Sequence, residues 1–179
     1  MPSKEELKFL QSQSLERKVR ITQTRIMEWY EHYKGQVYIS FSGGKDSTVL
    51  LDLARRVYPD IEAVFVDTGL EYPEIREFVK TFENLTTIRP KMQFNEVIKK
   101  YGYPLISKDT SQAIYEARNK PDGAKALRFQ TGNEHSLKYG ARYDLSKWRY
   151  LLESDIPISH MCCNVLKKRP FKDFEKRTS

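Results

Sequence analysis

Residues 37–53, VYISFSGGKDSTVLLDL, place a strand signal, a glycine turn and a helix signal directly one after another. The first five are mostly β-branched or aromatic, which predicts a short buried strand. Apolar residues then recur at helical spacing over residues 47–57, until Pro59 breaks the pattern. The residues SGGKDS, 42–47, therefore lie where a strand becomes a helix, the usual ligand-binding position in an open parallel sheet.

The same alternation continues outward from this stretch. It predicts strand 61–66, helix 73–82, strand 85–89 and helix 94–101. Strands alternating with helices at this spacing indicate an α/β fold, with a parallel sheet and helices on both faces.

The second half of the chain shows no further convincing strand. After Gly102 the pattern predicts helices at 111–119 and 145–153, and residues 157–171 are predicted as a loop leading to a last helix. Three strands are few for an open α/β sheet. Either further strands lie in the second half, or the sheet is incomplete at the C-terminus.

One long helix is predicted before the first strand, at residues 5–34, and Gly35 ends it. Its apolar residues recur at three- and four-residue spacing: Leu15, Val19, Ile26, Trp29 or Tyr30, and Tyr33. A tryptophan and tyrosine stripe at this spacing more often packs into a core than serves as a stacking surface for bases. We therefore expect the stripe to be buried.

Composition restricts the class of protein. The chain has 179 residues, of which 39% are hydrophobic and 31% charged, as is typical of one soluble domain. No apolar run approaches the roughly 20 residues of a membrane span, and no signal peptide is recognisable. The adjacent cysteines Cys162 and Cys163 cannot build a disulfide framework, so we expect a cytoplasmic protein. The net charge of +7 favours an anionic partner, either nucleic acid or a phosphate-rich small molecule.

The glycines and the lysine of SGGKDS suit a polyphosphate. Gly43 and Gly44 let the backbone turn tightly and approach an anion without a Cβ in the way. The amides of the first helical turn then point at the ligand, at the positive end of the helix. Lys45 supplies a point charge for the leaving phosphates, which makes it a catalytic candidate.

The other polar residues of the loop have separate roles. Ser42 and Ser47 are expected to donate hydroxyl hydrogen bonds to phosphate oxygens. Asp46 would repel a phosphate directly, so we expect it either to cap the helix or to bind Mg²⁺, and it is the second catalytic candidate. The motif is not the common P-loop, which needs Ser or Thr where this chain has Asp46, and the dinucleotide fingerprint GxGxxG is absent.

SGGKDS after a predicted strand resembles the pyrophosphate-binding (PP) loop of the adenine nucleotide alpha hydrolase superfamily. The following VFVDTGLEYPEIREF is similar to the phosphoadenosine phosphosulfate (PAPS) reductase family, which typically shows Asp-Thr-Gly, an aromatic residue and Pro-Glu at this place. The resemblance implies a single Rossmann-like (HUP-type) domain over residues 1–179, with a mostly helical second half over residues 102–179. It also implies an adenine nucleotide whose phosphates are held by residues 42–47 and whose nucleoside lies beside Asp67, Thr68 and Gly69.

CCNVLKKRP, residues 162–170, is similar to the paired cysteines of iron–sulfur sulfonucleotide reductases. By that resemblance Cys162 and Cys163 would supply two of the four thiolates of a 4Fe–4S cluster. The later cysteine pair and the C-terminal catalytic cysteine of those reductases are missing here. Two small buried cysteines without a metal are the alternative interpretation.

A further departure concerns arginines that bind phosphate. Residues 131–142, TGNEHSLKYGAR, match poorly the Gly-x-Arg segment that the superfamily often carries. Together with the few strands and an ending inside a predicted helix, this suggests either a chain truncated after Ser179 or a degenerate relative.

Three functions remain open. The favoured one is an ATP pyrophosphatase or adenylyltransferase that cleaves ATP between the α and β phosphates and releases pyrophosphate, with Mg²⁺ on Asp46. It would act in sulfur metabolism or in thiolation of tRNA or DNA. The second is a PAPS or adenosine 5′-phosphosulfate (APS) reductase with a cysteine-ligated cluster, and the third is a nucleotide- or nucleic-acid-associated protein without catalysis. A partner subunit or a homo-oligomer is compatible with each, and no membrane partner is expected.

Overall fold

The computed structural model describes residues 3–130, 137–138 and 140–178. Contacts divide the chain into two compact units, one of Met1–Asp67 with Glu71–Ile88 and one of Thr68–Leu70 with Arg89–Ser179. The sequence predicts that residues 1–179 form one domain, and this stays a prediction. In the described residues, no helix has both the length and the apolar character needed to cross a membrane.

The first unit is built on a parallel sheet. Its helices are α1 (Lys4–Ser12), α2 (Leu15–His32), α3 (Lys45–Arg55) and α4 (Pro73–Lys80), and its strands are β1 (Ile39–Phe41), β2 (Ala63–Val66) and β3 (Leu85–Ile88). The described strands lie in the order β1-β2-β3, with every pair parallel. The predicted α/β, Rossmann-like parallel sheet flanked by helices is thereby confirmed.

The core of this unit joins the sheet to its helices. All four residues of β2 are buried, as expected for the central strand of a parallel sheet. Phe41 of β1, Leu51 of α3 and Val79 of α4 are at most 2% exposed and belong to one apolar cluster. Full burial of each such side chain stabilises the fold by roughly 1.5–3 kcal/mol. This packing fixes the ends of β1 and α3 and therefore the loop between them.

The single N-terminal helix predicted over residues 5–34 is wrong, because the structure has two helices there. Ser14 begins α2, and its hydroxyl accepts a hydrogen bond from the backbone N–H of Arg17 at 3.3 Å. This is an ordinary N-cap, which satisfies one amide of the first helical turn. Ser14 lies inside a continuous helical pattern of the sequence. Periodicity alone therefore gave no reason to divide the predicted helix into two.

The predicted burial of the α2 stripe is wrong for three of its residues. Leu15, Trp29 and Tyr33 are 77%, 60% and 42% exposed, whereas Ile26 and Tyr30 pack against the core. The reason is length. An 18-residue helix extends about 27 Å, whereas a three-residue strand such as β1 covers roughly 10 Å, so the sheet cannot bury one whole face of α2.

The second unit is mainly helical over its described residues. Its elements are α5 (Phe94–Tyr101), α6 (Lys108–Asn119), α7 (Ala124–Leu127), 3-10 helices at Ala141–Tyr143 and Ser146–Leu151, α8 (Met161–Cys163), a π-helical segment (Asn164–Lys168) and α9 (Arg169–Thr178). An isolated parallel bridge joins Tyr103 to Ile158. The helix expected at 145–153 is present as the 3-10 helix Ser146–Leu151, and the loop expected at 157–171 is wrong beyond His160. Val165 and Leu166 bury against Val97 of α5, which supports helical structure there.

A charged contact in the second unit joins α6 to the segment after α7. Arg128 is 3% exposed, and its Nη2 and Nη1 donate to the carboxylate oxygens of Asp109 at 2.8 and 3.3 Å. Its Nε donates to the carbonyl oxygen of Tyr143 at 3.1 Å. The hydrogen bond from Arg128 holds the pKa of Asp109 below its ordinary value of 3.8, and partial burial opposes this only in part.

Asp109→Asn is expected to remove an acid-sensitive part of the stability. Because the folded-state pKa of Asp109 is lowered, its contribution is complete above the ordinary pKa and is lost as pH falls through the folded-state pKa. Urea unfolding at pH 7 should show a deficit of about 1 kcal/mol, a small value because the carboxylate is largely exposed. The deficit should shrink toward pH 3. Asp122→Asn, at an exposed carboxylate, serves as control, and a deficit independent of pH would contradict the expectation.

Candidate functional site

The predicted phosphate-binding loop lies between the carboxyl end of β1 and the start of α3. Gly44 is the N-cap of α3, with φ −81° and ψ 159°, and no side chain caps the helix. Among the described residues, no acceptor bonds the backbone N–H groups of Lys45, Asp46 and Ser47. Three donors therefore remain for an anion at the positive end of an 11-residue helix.

The two serines brace the loop internally. The Ser47 hydroxyl donates to the carbonyl oxygen of Gly44 at 2.9 Å and accepts from the backbone N–H of Ser42 at 3.2 Å. The two hydroxyl oxygens lie 3.0 Å apart. Because the single Ser47 proton is directed to Gly44, Ser42 is the donor between the hydroxyls. Both serines thus hold the loop in shape, and their donation to phosphate stays a prediction.

The structure requires glycine at position 43 but not at position 44. Gly43 has φ +71°, and a Cβ there would lie 2.8 Å from the Cγ2 methyls of Ile75 and Val79 in α4. Gly44 has an ordinary negative φ, and a Cβ there would meet only the Ser42 hydroxyl oxygen, at 3.4 Å. Gly43 is needed for the fold, whereas neither backbone conformation nor packing requires glycine at position 44.

Lys45 and Asp46 are both exposed in the first turn of α3. Neither forms an ion pair with any residue that the structure describes. The alternative of Asp46 as N-cap is wrong, because Gly44 occupies that position. A carboxylate in the first turn is nonetheless favourable beside the helix dipole. Binding of Mg²⁺ by Asp46 stays a prediction.

The next predicted site residue, Asp67, directly follows β2. It is 7% exposed, its backbone N–H donates to Ile88 at 2.9 Å, and Nη2 of Arg76 in α4 donates to its Oδ2 at 3.2 Å. Because β1 and β2 are paired in parallel, their carboxyl ends share one edge of the sheet. The structure thus brings Asp67 to the same edge as residues 42–47.

Thr68 and Gly69, the remaining predicted nucleoside contacts, belong to the second unit. Thr68 is 8% exposed, and its hydroxyl oxygen accepts from the backbone N–H of Leu70 at 3.3 Å. Gly69 has φ +80°, and a Cβ there would meet no atom within 4 Å. The two residues form a tight turn after β2, and their contact with a nucleoside stays a prediction.

Sequence reasoning missed Arg76. A buried carboxylate requires a cationic or hydrogen-bonding partner, so Asp67 should have prompted a search for one. Arg76 lies nine residues later in α4, with its side chain 43% exposed. The sequence signal for this partner was a basic residue in the helix that follows the strand bearing Asp67. The pattern could not indicate which basic residue faces the strand end.

The cysteine pair does not fit an iron–sulfur cluster by itself. Cys162 and Cys163 are free and partly buried in α8, and the chain has no other cysteine, whereas such a cluster takes four thiolates. Burial, and secondarily the neighbouring Cys163, raises the pKa of the Cys162 thiol. Nowhere in the described ranges do three His, Cys, Asp or Glu side chains gather as a metal site would need.

The sequence comparison of residues 131–142 with the phosphate-binding Gly-x-Arg segment falls largely outside the described part of the chain. Residues 131–136 and 139 are not among the residues that the structure describes.

Comparison with known proteins yields one family match. The family described as phosphoadenosine phosphosulfate reductase domain matches residues 36–125, which include the loop and the strand end bearing Asp67. An uncharacterized protein of Methanocaldococcus jannaschii is 42% identical over 87 residues, which cover 44% of this chain and 21% of that protein.

Several similar proteins carry a reductase name. The adenosine 5′-phosphosulfate reductase of Staphylococcus epidermidis is 29% identical over 103 residues, covering 54% of this chain and 42% of the reductase. Adenosine 5′-phosphosulfate reductase 1 of Bacillus subtilis is 30% identical over 97 residues, covering 50% of this chain and 42% of the reductase. The matched segment spans less than half the length of each relative.

Proposed function

The chain belongs to the phosphoadenosine phosphosulfate reductase domain family, and from this premise we propose that it binds a sulfonucleotide, APS or PAPS, as substrate. The observation that carries the proposal is the start of α3, where the backbone N–H groups of residues 45–47 have no acceptor among the described residues and Lys45 is exposed in the same helical turn. The names of the reductases at 29% and 30% identity support this substrate class.

Each loop residue has a defined part in this proposal. The amides of residues 45–47 donate to the phosphate oxygens, and Lys45 offsets the negative charge. Gly44 allows the anion to approach the backbone, while the hydrogen bonds of Ser42 and Ser47 keep the loop in its bound shape. Preorganisation of this kind raises affinity, because little conformational entropy is lost on binding.

In this proposal the chain binds and orients the nucleotide. Nucleophilic attack by cysteine requires the thiolate, and burial raises the pKa of the Cys162 thiol, which disfavours that form at neutral pH. The cysteine pair is also two thiolates short of a cluster. We therefore assign the nucleotide-binding part of an enzyme of the sulfonucleotide reductase type to this chain.

A second candidate function is cleavage of ATP between the α and β phosphates, with release of pyrophosphate. Asp46 favours it, because an exposed carboxylate one residue after Lys45 can hold Mg²⁺ on a triphosphate. Under this alternative the adenylyl acceptor lies in sulfur metabolism or is tRNA or DNA, and the reaction takes place in the cytoplasm.

Thermal unfolding with APS, with PAPS and with ATP plus Mg²⁺ tests both functions. A ligand at about 100 times its dissociation constant should add roughly 2.7 kcal/mol to the free energy of unfolding. Lys45→Ala should lower sulfonucleotide affinity by roughly 10- to 100-fold, the value of a hydrogen bond between charged groups. Lys18→Ala, at an exposed lysine of α2, is the matched control and should leave affinity unchanged.

The outcomes separate the candidates. Stabilisation by APS or PAPS that Lys45→Ala weakens supports the sulfonucleotide proposal. Stabilisation by ATP with Mg²⁺ alone, lost in Asp46→Asn, replaces it with the ATP alternative. No stabilisation by any of the three nucleotides would reject both.

A further inference from the structure

Helix α9 and the π-helical segment before it carry a concentration of positive charge. Residues 167–177 contain six basic and two acidic side chains. Three of the lysines, Lys168, Lys172 and Lys176, follow one another at intervals of four residues, and all three are exposed. Side chains four residues apart on a helix lie on one face, so these ammonium groups form a single row. We refer to the three residues as the lysine ridge.

The lysine ridge is not neutralised by ion pairs. Within the part of the chain that the structure describes, none of its three ammonium groups has a carboxylate partner. The carboxylate of Asp173 lies 2.7 Å from Nζ of Lys91, and this contact holds the pKa of Asp173 below its ordinary value of 3.8. Like charges four residues apart destabilise a helix, so an anionic partner would relieve a repulsion that folding leaves in place.

Two further cations extend the positive surface onto α5, which packs against the π-helical segment through apolar side chains. A hydrogen bond from Arg169 holds the pKa of Tyr101, the last residue of α5, below its ordinary value of 10.0. The Nζ of Lys100 lies 5.5 Å from the centre of the same Tyr101 ring. Because Arg169 directly follows Lys168, positive charge is continuous from the end of α5 to α9.

The exposed face of α9 offers charge but no apolar anchor. Every exposed residue of this helix is polar, whereas Pro170, Phe171 and Phe174 are buried or partly buried. A helix that lies on a membrane needs an exposed apolar face, and the energetic centre of a protein–protein interface usually has aromatic anchors. The phosphate backbone of a nucleic acid needs neither, because ammonium groups bind it by charge.

We propose that the lysine ridge, together with Arg169 and Lys100, binds the phosphate backbone of a double-stranded nucleic acid. Lys168 and Lys176 are eight residues apart, which corresponds to about 12 Å along a helix. That length equals the axial rise of about three to four phosphates along one strand of duplex DNA. Each ridge lysine can therefore face a separate phosphate. The proposal does not rest on nucleotide binding by residues 42–47.

Fluorescence anisotropy of labelled duplexes tests the proposal. A DNA duplex and an RNA duplex of the same sequence are titrated at KCl concentrations from about 50 to about 200 mM. For DNA, each neutralised phosphate contributes about −0.9 to the slope of log affinity against log salt concentration. Changing all three ridge lysines to glutamine should therefore make that slope less negative by about 2.7. The duplex that the wild type binds more tightly identifies the source of the backbone.

A second triple variant, Lys4→Gln with Lys18→Gln and Lys120→Gln, is the matched control, because it removes three charges from exposed positions elsewhere. Both variants lower the net charge of +7 by three, so a difference between them reports where the charge lies. The control should keep the wild-type salt slope to within the value of about one phosphate contact. The ridge variant should unfold at the wild-type temperature or above it, because it removes like-charge repulsion within α9.

Three results would overturn the proposal. One is an equal change of the salt slope in both triple variants, which would assign binding to the overall net charge. Another is an absence of duplex binding by the wild type at the lowest salt concentration. The third is tighter binding of an oligoglutamate peptide than of either duplex at equal anionic charge, which would assign the lysine ridge to an acidic protein.

Discussion

Gly43→Ala should lower the free energy of unfolding by about 3 kcal/mol, as the sum of backbone strain and overpacking. The strain arises because φ is +71°, a left-handed conformation that alanine adopts at a cost. The overpacking arises because the new Cβ would lie 2.8 Å from methyl groups of both Ile75 and Val79. To relieve it, α4 must move from the loop, which would also displace Arg76 from Asp67. Nucleotide binding should therefore fall along with stability.

Gly44→Ala is the matched variant and should separate binding from folding. Alanine tolerates φ −81°, and the loss of a good N-cap residue is offset by lower entropy of the unfolded chain, so stability should change by less than about 0.5 kcal/mol. The methyl group would stand where the backbone meets the anion, so nucleotide affinity should fall.

Urea unfolding and nucleotide titration of the two variants supply the measurement. Equal destabilisation by both alanines would contradict the packing role of Gly43. Undiminished affinity in Gly44→Ala would show that the anion does not approach the backbone at this glycine.

Arg118→Met should destabilise the second unit by about 4 kcal/mol, because it removes a charged hydrogen-bond donor from several carbonyl groups at once. From α6, its Nε donates to Leu152 at 3.2 Å and its Nη1 to Ile156 at 2.8 Å. Its Nη2 donates to the carbonyls of Leu151 and of Ser154, the latter at 2.6 Å. One guanidinium thus satisfies four carbonyl oxygens at the end of the 3-10 helix, and methionine can bond none of them.

Chemical denaturation followed by far-UV circular dichroism measures this loss. Arg149→Met is the control, because Arg149 is exposed on the same 3-10 helix and has no hydrogen bond to its side chain among the described residues. Its effect should stay within about 0.5 kcal/mol. Arg118→Lys should recover only part of the stability, since an ammonium cannot reach four carbonyls in the planar arrangement of a guanidinium. Equal effects of Arg118→Met and Arg149→Met would refute the bracing role.

Local sequence patterns determined the strand, the loop and the helix that carry the predicted phosphate site. The apolar run before Ser42, the glycines and the helical spacing after Ser47 place a strand, a loop and a helix within the 21 residues 37–57, where short-range sterics and periodicity decide conformation. The same reasoning located β2, α4, β3 and α5 to within two residues at their ends. It also indicated the loop amides and Lys45 as anion donors, because a helix N-terminus has these donors wherever it occurs.

Tertiary structure decided which residues meet across long stretches of chain. The packing of Gly43 on Ile75, the pairing of Asp67 with Arg76, and the exposure of Trp29 all depend on how α2 and α4 lie against the sheet. Periodicity shows that a helix has an apolar face, but it cannot show how much of that face a three-residue strand covers. The strand order β1-β2-β3 follows from the same cause, because the hydrogen-bond partners of a strand are set by the assembled sheet and not by the strand's own residues.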